Sequence, residues 1–217
     1  MKTYPMQASQ FIKYTFIIFL LVGMNACSAK KVAVSSLPLS YMAQGHDGLV
    51  YDASFQYKDF QASGLMVMKR IQLYEYHVVL LSKFGPALME FKLTKAGITW
   101  IKSFEQLEKR VLSKFIAKDF NLLLLSILEE PKKVKSLKAN EDVLIYKIKD
   151  GSKAEIKVDA DAGRVLYAEN KGFPNLFKSK AKFTYGENDI PQNIEITHNN
   201  INLRIDMILL KVNHAER

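Results

Sequence analysis

Four histidines, His46, His77, His198 and His214, and a single cysteine, Cys27, are the side chains of this 217-residue sequence with the widest chemical range. Metal ligation by such residues needs several of them at short helical or turn spacing. No two of the histidines stand at that spacing and Cys27 has no second thiol, so local sequence assembles neither a metal cluster nor an intrachain disulfide. No metal and no cofactor are expected. His46-Asp47 lies between Gly45 and Gly48, where turn chemistry accounts for it, and no serine occupies a nucleophile elbow. Asp159-Ala160-Asp161-Ala162-Gly163 begins like a calcium loop, but its glycine comes fifth and the twelfth residue is Asn170, where a bidentate glutamate is required. It reads as a hairpin turn. Glu129 and Glu130 adjoin ahead of Pro131, too close in sequence to flank a substrate as opposed acid and base. Trp100 and the tyrosines read as core or rim aromatics of strands. A hydrolase would need a pocket that brings His77 or His198 beside a carboxylate and a hydroxyl.

The elements that would position such residues are mostly strands. Val50 to Tyr57 alternates loosely; Leu65, Val67 and Lys69 oppose Met66 and Met68; and Tyr74, Tyr76, Val78 and Leu80 oppose Glu75, His77, Val79 and Leu81. Ala87, Met89, Phe91 and Leu93 form a cleaner face, and Ile98 to Ile101 follows the Lys95-Ala96-Gly97 break. This predicts five consecutive antiparallel strands with short turns, His77 on a polar side. At Ser103 the period changes. Ser103 and Gln106 have capping-box spacing, and Leu107, Val111, Leu112, Phe115 and Ile116 recur at helical intervals. A break is expected near Ala117 to Asp119, then a second apolar stripe, Phe120, Leu123, Leu124, Ile127 and Leu128, until Pro131. Strands resume at Val143 to Ile148, Ala154 to Val158, Arg164 to Ala168, Ala181 to Tyr185 and Ile194 to Ile196. The last is the most regular, with Ile201, Leu203, Ile205, Met207 and Leu209 on one face. Such a period implies one buried face and one wet face.

Upstream, Lys2 and Lys13 precede the apolar run 14–26, which ends in Gly23-Met24-Asn25-Ala26-Cys27 with no acidic residue before it. The run is short for a membrane span, which needs about 20 apolar residues. The pattern resembles a bacterial lipoprotein export signal. That resemblance implies cleavage between Ala26 and Cys27, a thioether-linked diacylglycerol on Cys27, and a permanent lipid anchor once two or more acyl chains are present. The residues after it, Ser28-Ala29-Lys30-Lys31, lack the aspartate that retains such proteins in the inner membrane and the acidic cluster that exports them to the surface. This resembles sorting to the outer membrane, on its periplasmic side. The expected organisation is a cleaved signal 1–26, a lipidated tether 27–47 and one domain, 48–217, with a helical insertion at about 104–129.

Without Lys2 and Lys13 the chain keeps 29 basic residues against 22 acidic ones, about +7 at neutral pH. In an exported chain such a charge meets anionic headgroups and wall polymer, so no nucleic-acid partner is expected. The lysines read as spread along solvent-facing positions.

A lipidated cysteine, a tether, antiparallel strands including Phe84-Gly85-Pro86-Ala87-Leu88-Met89-Glu90-Phe91, a helical segment, then further strands: this order resembles the periplasmic Lol-pathway lipoprotein carriers and receptors and related uncharacterised lipoproteins, and Lys114-Phe115-Ile116-Ala117-Lys118-Asp119-Phe120-Asn121-Leu122-Leu123-Leu124 resembles a segment of the latter. The resemblance spans about residues 48–211. It implies a mainly β, α+β fold: a curved antiparallel sheet or incomplete β-barrel whose concave apolar face is covered by helix and holds acyl chains. The lining would come from Met89, Phe91, Leu112, Phe115, Phe120, Ile205 and Met207. No receptor-type protruding loop with an exposed leucine is evident. The function expected is therefore non-enzymatic handling of lipid or lipoprotein acyl chains. The alternative is a scaffold lipoprotein that binds an outer-membrane protein through a sheet edge or apolar patch.

Overall fold

Among the described residues, alternation of apolar and polar residues is realised as twelve antiparallel strands in one sheet. The computed structural model describes residues 38, 40–43, 45–103, 110–129, 134–138, 142–150, 152–171, 178–199 and 201–214. All lie in one unit, Val32–Arg217. Ala26, Cys27, the export signal, Gln106, Leu107, Glu130 and Pro131 fall outside the described residues.

The first five strands are β1 (His46–Tyr57), β2 (Phe60–Gln72), β3 (Glu75–Leu81), β4 (Ala87–Thr94) and β5 (Gly97–Lys102). A helix, α1 (Arg110–Leu123), and a 3-10 turn, Ser126–Leu128, follow. Then come β6 (Val134–Lys138), β7 (Val143–Asp150), β8 (Ser152–Asp159), β9 (Val165–Lys171), β10 (Lys178–Tyr185), β11 (Pro191–His198) and β12 (Leu203–His214). Their spatial order is β5-β4-β3-β2-β1-β12-β11-β10-β9-β8-β7-β6, so β1 pairs with β12 and the edges are β5 and β6. The expected five-strand run is present. β6 was not expected, because five residues, Val134-Lys135-Ser136-Leu137-Lys138, carry too short a period to be read alone.

Sheet curvature follows from what α1 touches. It contacts β5 at one edge and β9, β10 and β11 in the other half. Laid flat, the eight spacings from β5 to β9 would span about 38 Å, whereas fourteen helical residues extend only about 21 Å. The sheet therefore curls around the helix, and its inward face supplies the core: Tyr51 and Phe55 from β1, Met66 and Met68 from β2, Tyr76 and Val78 from β3, Ile205 and Met207 from β12. Register shifts in several ladders, as between Val50 and Tyr51 against β12, help strands bend in this way. No pairing joins β5 to β6 among the described residues, so the barrel is incomplete. Mainly antiparallel sheet with one covering helical segment is the architecture.

The helix corrects one expectation. No break occurs at Ala117 to Asp119; α1 runs on to Leu123, and the chain turns at Leu125, whose φ of 52° is left-handed. An aspartate often disrupts a helix by bonding its own backbone. Asp119 instead spends its carboxylate on His198 and Ser179, leaving the local ladder intact.

Candidate functional site

The inward face holds two features that could serve a function: an apolar recess and a buried polar cluster. The recess opens at the end of the sheet where β1 turns into β2. Phe55, Tyr57, Phe60 and Ala62 of that hairpin stand around it, Leu80, Met89, Leu203 and Ile205 back it, and α1 contributes Ile116. Its lining is wholly apolar. The remaining void measures about 10 Å³, room for about one water. Side chains, with α1 pressed among them, fill the rest of the interior.

Of the expected lining, the structure places Met89 and Ile205 directly on the recess. Phe91, Leu112, Phe115, Phe120 and Met207 are buried in the continuous core around it. Phe120 stands edge-on to Phe91 at 4.8 Å between ring centres, and Phe91 meets Trp100 at 5.3 Å. Trp100 also donates from Nε1 to Ser113 Oγ on α1 at 3.0 Å. The Phe91 ring thus sits between the rings of α1 and β5.

Polar contacts fasten α1 elsewhere. Ser40 Oγ donates to the Leu124 carbonyl at 2.6 Å and Tyr41 Oη donates to the Leu123 carbonyl at 2.7 Å, two carbonyls at a helix end that would otherwise lack partners. Ser40, Tyr41 and Met42, within the expected tether, are accordingly buried. Just beyond, Glu129 gathers three donors: Arg70 Nε at 2.9 Å, the Tyr74 backbone N–H at 2.8 Å and Tyr76 Oη at 2.5 Å. Burial, with the Glu129 carboxylate beside it, pushes the Tyr76 phenol far above its usual range, so it remains a donor.

The polar cluster is the part sequence reasoning missed. His198 ends β11, and its Nε2 lies 2.9 Å from Asp119 Oδ2 and 3.0 Å from Oδ1, while Nδ1 donates to the Leu203 carbonyl at 2.8 Å. Ser179, opposite His198 in the β10–β11 ladder, also bonds Asp119. Asn170, opposite Ser179, adds a buried amide oxygen with no hydrogen-bond partner among the described residues. Burial raises the Asp119 carboxyl, against the pull of His198 and Ser179. Burial works against a charged His198, yet the Asp119 hydrogen bond and charge, with the Leu203 carbonyl, raise it above its usual value. Both directions describe a pair that holds on to its shared proton. A histidine, a carboxylate and a hydroxyl do meet, but in an order unsuited to a nucleophilic relay. Both imidazole nitrogens are engaged and the hydroxyl bonds the carboxylate, leaving no ring nitrogen to take its proton.

A signal for the cluster exists in the phase of the pattern. Asp119 falls within the buried stripe of α1, His198 continues the inward series Ile194, Ile196, and Ser179 precedes Ala181 and Phe183 in phase. A polar residue at an apolar phase is the readable mark.

The other histidines have local roles. His46 opens β1 and meets the Tyr41 carbonyl at 2.9 Å, and His77 pairs with Glu90 at 2.9 Å on the outer face. Asp159 Oδ1 accepts from the Asp161 and Ala162 N–H groups, which makes that run the expected hairpin turn. Among the described residues no group of His, Cys, Asp and Glu could hold a metal ion, and no helix is long and apolar enough to cross a membrane.

No family model matches the sequence, and no curated protein does. Solved structures similar to this chain include a LolA superfamily protein from Nitrosomonas europaea, at 8% identity and a TM-score of 0.49, covering 79% of this chain and 88% of that one. A putative outer membrane lipoprotein-sorting protein domain from Vibrio parahaemolyticus is similar at 11% identity and a TM-score of 0.47, over 76% and 83%. A DUF1329 family protein from Desulfovibrio piger is similar at 9% identity and a TM-score of 0.47, over 80% and 87%.

Proposed function

We propose that this chain is a lipoprotein held through acylated Cys27 at the periplasmic face of the outer membrane, and that its domain handles an apolar chain, of a lipid or a lipoprotein, without enzymatic chemistry. The observation that carries the reading is the recess: wholly apolar, reached at the β1–β2 end, and covered by a helix rather than by sheet. Because the void is about 10 Å³, an acyl chain would take the place of side chains that α1 now inserts. Burying about ten methylenes is worth about 8 kcal/mol, comparable with the burial of three to five apolar side chains. The exchange is balanced enough to be reversible. Met89 and Ile205 would meet the chain first, and Phe91, Leu112, Phe115, Phe120 and Met207 would follow as α1 gives way.

Photocrosslinking of the full acylated protein with a photoreactive palmitate analogue tests the ligand. Adducts are expected at Met89, Ile116 and Ile205, and their absence from folded protein ends the reading. Mass spectrometry of the membrane-extracted chain tests the anchor. It is expected to find Cys27 as the N-terminal residue carrying diacylglycerol; an intact Met1 or an unmodified Cys27 would rule the anchor out.

The second reading, a scaffold lipoprotein with an outer-membrane protein partner, is favoured by Phe84, 96% exposed at the tip of the β3–β4 turn. Crosslinking from Phe84 in intact cells distinguishes the two, since only the scaffold has a stoichiometric protein partner there.

A further inference from the structure

The lysines that the sequence scatters through its second half meet on the outer face of β7 to β10. Lys147 and Lys149 point outward from β7, in alternation with buried Tyr146 and Ile148. Lys153 and Lys157 do the same around Ala154 and Ile156 of β8, and Lys180 and Lys182 around Ala181 of β10. The ladders set them in rows: Lys157 opposite Tyr167, and Tyr167 opposite Lys182. Lys149 stands directly opposite Lys153, and Lys171 directly opposite Lys178. Like charges so opposed weaken a ladder, and a face that only needed wetting has no reason to gather them. The neighbouring strands show the ordinary mixture, with Arg204 bonded to Glu195 and Asp206. Lys147 stands opposite Glu155 and Lys180 opposite Glu169, Asp159 ends β8 in the same outward phase, and Lys171 bonds Glu155 at 2.6 Å, so lysines outnumber these acids on the face without being free of them. That bond, with Lys147 and Lys157 nearby, holds the Glu155 carboxyl below its usual range. The Lys180 ammonium lies 4.7 Å from the Tyr167 ring centre, a cation held at the surface over an apolar stem.

We infer that the outer face of β7 to β10 docks on an anionic bilayer, its lysines meeting headgroup phosphates. Charge complementarity selects the partner class. Chain length permits the contact, because the thirteen residues from Cys27 to Ser40 can extend about 45 Å, enough for a face of the domain to reach the bilayer that holds the anchor. The surface field falls off within about 8 to 10 Å, so the anchor's part is to keep the domain at high local concentration beside it. The inference rests on the anchoring of Cys27 proposed above. With this face of the sheet laid on the membrane, the β1–β2 mouth of the recess is held at a fixed distance from the lipid.

The test reconstitutes the full acylated chain in vesicles of phosphatidylcholine alone and of phosphatidylcholine with phosphatidylglycerol, and measures flotation and amine labelling of individual lysines by mass spectrometry. Flotation with both vesicle types reports the anchor. Labelling of Lys147, Lys157, Lys180 and Lys182 is expected to fall severalfold on the anionic vesicles and to recover at high salt, with Lys58 and Lys83 unchanged as internal references. A quadruple Lys→Gln variant at the same four positions, which keeps the backbone and the inward face, is expected to lose the salt-dependent protection of Lys149 and Lys153. Equal labelling on neutral and anionic vesicles overturns the docking while leaving the anchor standing. A chain that fails to float on neutral vesicles overturns the anchor; salt-sensitive flotation on anionic vesicles, with association falling on the order of fivefold per charge removed, then still supports the face, and its absence overturns that too.

Discussion

His198 Nε2 stands 2.9 Å from Asp119 Oδ2, and the two side chains, 2% and 1% exposed, join α1 to the end of β11 inside an apolar core. The helix that covers the sheet is thus held there by a charged contact as well as by packing. Replacing one partner strands the other in a low dielectric, whereas replacing both with apolar residues of similar volume removes the desolvation cost as well as the attraction.

Asp119→Ala alone is expected to lower stability by about 3–5 kcal/mol, and the double variant Asp119→Leu, His198→Phe to recover much of that loss, as read by denaturant midpoints. The pair also sets a pH dependence. Unfolded, His198 gives up its proton near about pH 6.5, whereas the folded pair keeps it to higher pH. The stability it contributes is complete below about pH 6.5 and is lost as pH rises through the folded value. Asp119, also raised, acts in the same sense from about pH 3.9 upward. Melting temperatures of the wild type should fall across this range more steeply than those of the double variant; parallel curves would contradict the assignment.

Glu129 receives Arg70, Tyr76 and the Tyr74 N–H within 2.9 Å, tying the segment after α1 to the β2–β3 turn. Its truncation to Ala leaves a buried phenol and a left-handed turn, Tyr74 at φ 61°, without their acceptor. A loss of about 3 kcal/mol is expected, with Glu129→Gln retaining part of it. A change of less than about 1 kcal/mol in chemical denaturation would show the contact to be incidental.

Gly64 in β2 lies where β3 comes closest: a Cβ there would sit 1.9 Å from the Leu81 carbonyl oxygen. Gly64→Ala must push the β2–β3 ladder apart, at a cost expected to reach about 3 kcal/mol or more. Gly85→Ala, in the β3–β4 turn with open space around it, isolates the lesser cost of a left-handed backbone. Comparable thermal unfolding of the two variants would refute the close approach.

The strands were legible because their alternation is strong: Met66 and Met68, Tyr76 and Val78, Ile205 and Met207 all lie inward as their phase predicts. The apolar side of α1 was legible for the same reason. What sequence could not reveal is which distant segments share a row. Lys157 and Lys182 look dispersed along the chain and come into one row, on either side of Tyr167, only through the β8–β10 ladders, and Asp119 and His198 are separated by 79 residues. The helix passes through Ala117 to Asp119 without the expected break, and the partner that occupies the Asp119 carboxylate, His198, is brought near only by the fold. β6 was too short to announce itself without β7.

Read around the sheet from β6, the strands run 6 to 12 and then 1 to 5, so neighbours in space are neighbours in sequence at every ladder but one. Ten hairpin ladders can form locally, in two blocks on either side of α1. The ladder between β1 and β12, which sets His46 opposite His214, must wait for nearly the whole chain. Loop closure over that length is expected to make this seam the last ladder to form, which a slow folding phase sensitive to substitutions along it would reveal. It also sets the two ends of the sheet-forming chain side by side. A circular permutant joined from β12 to β1 and opened between β5 and β6 would turn the entire sheet into a simple meander, exchanging the one long-range closure for a hairpin and shifting the slow step to the docking of the helix.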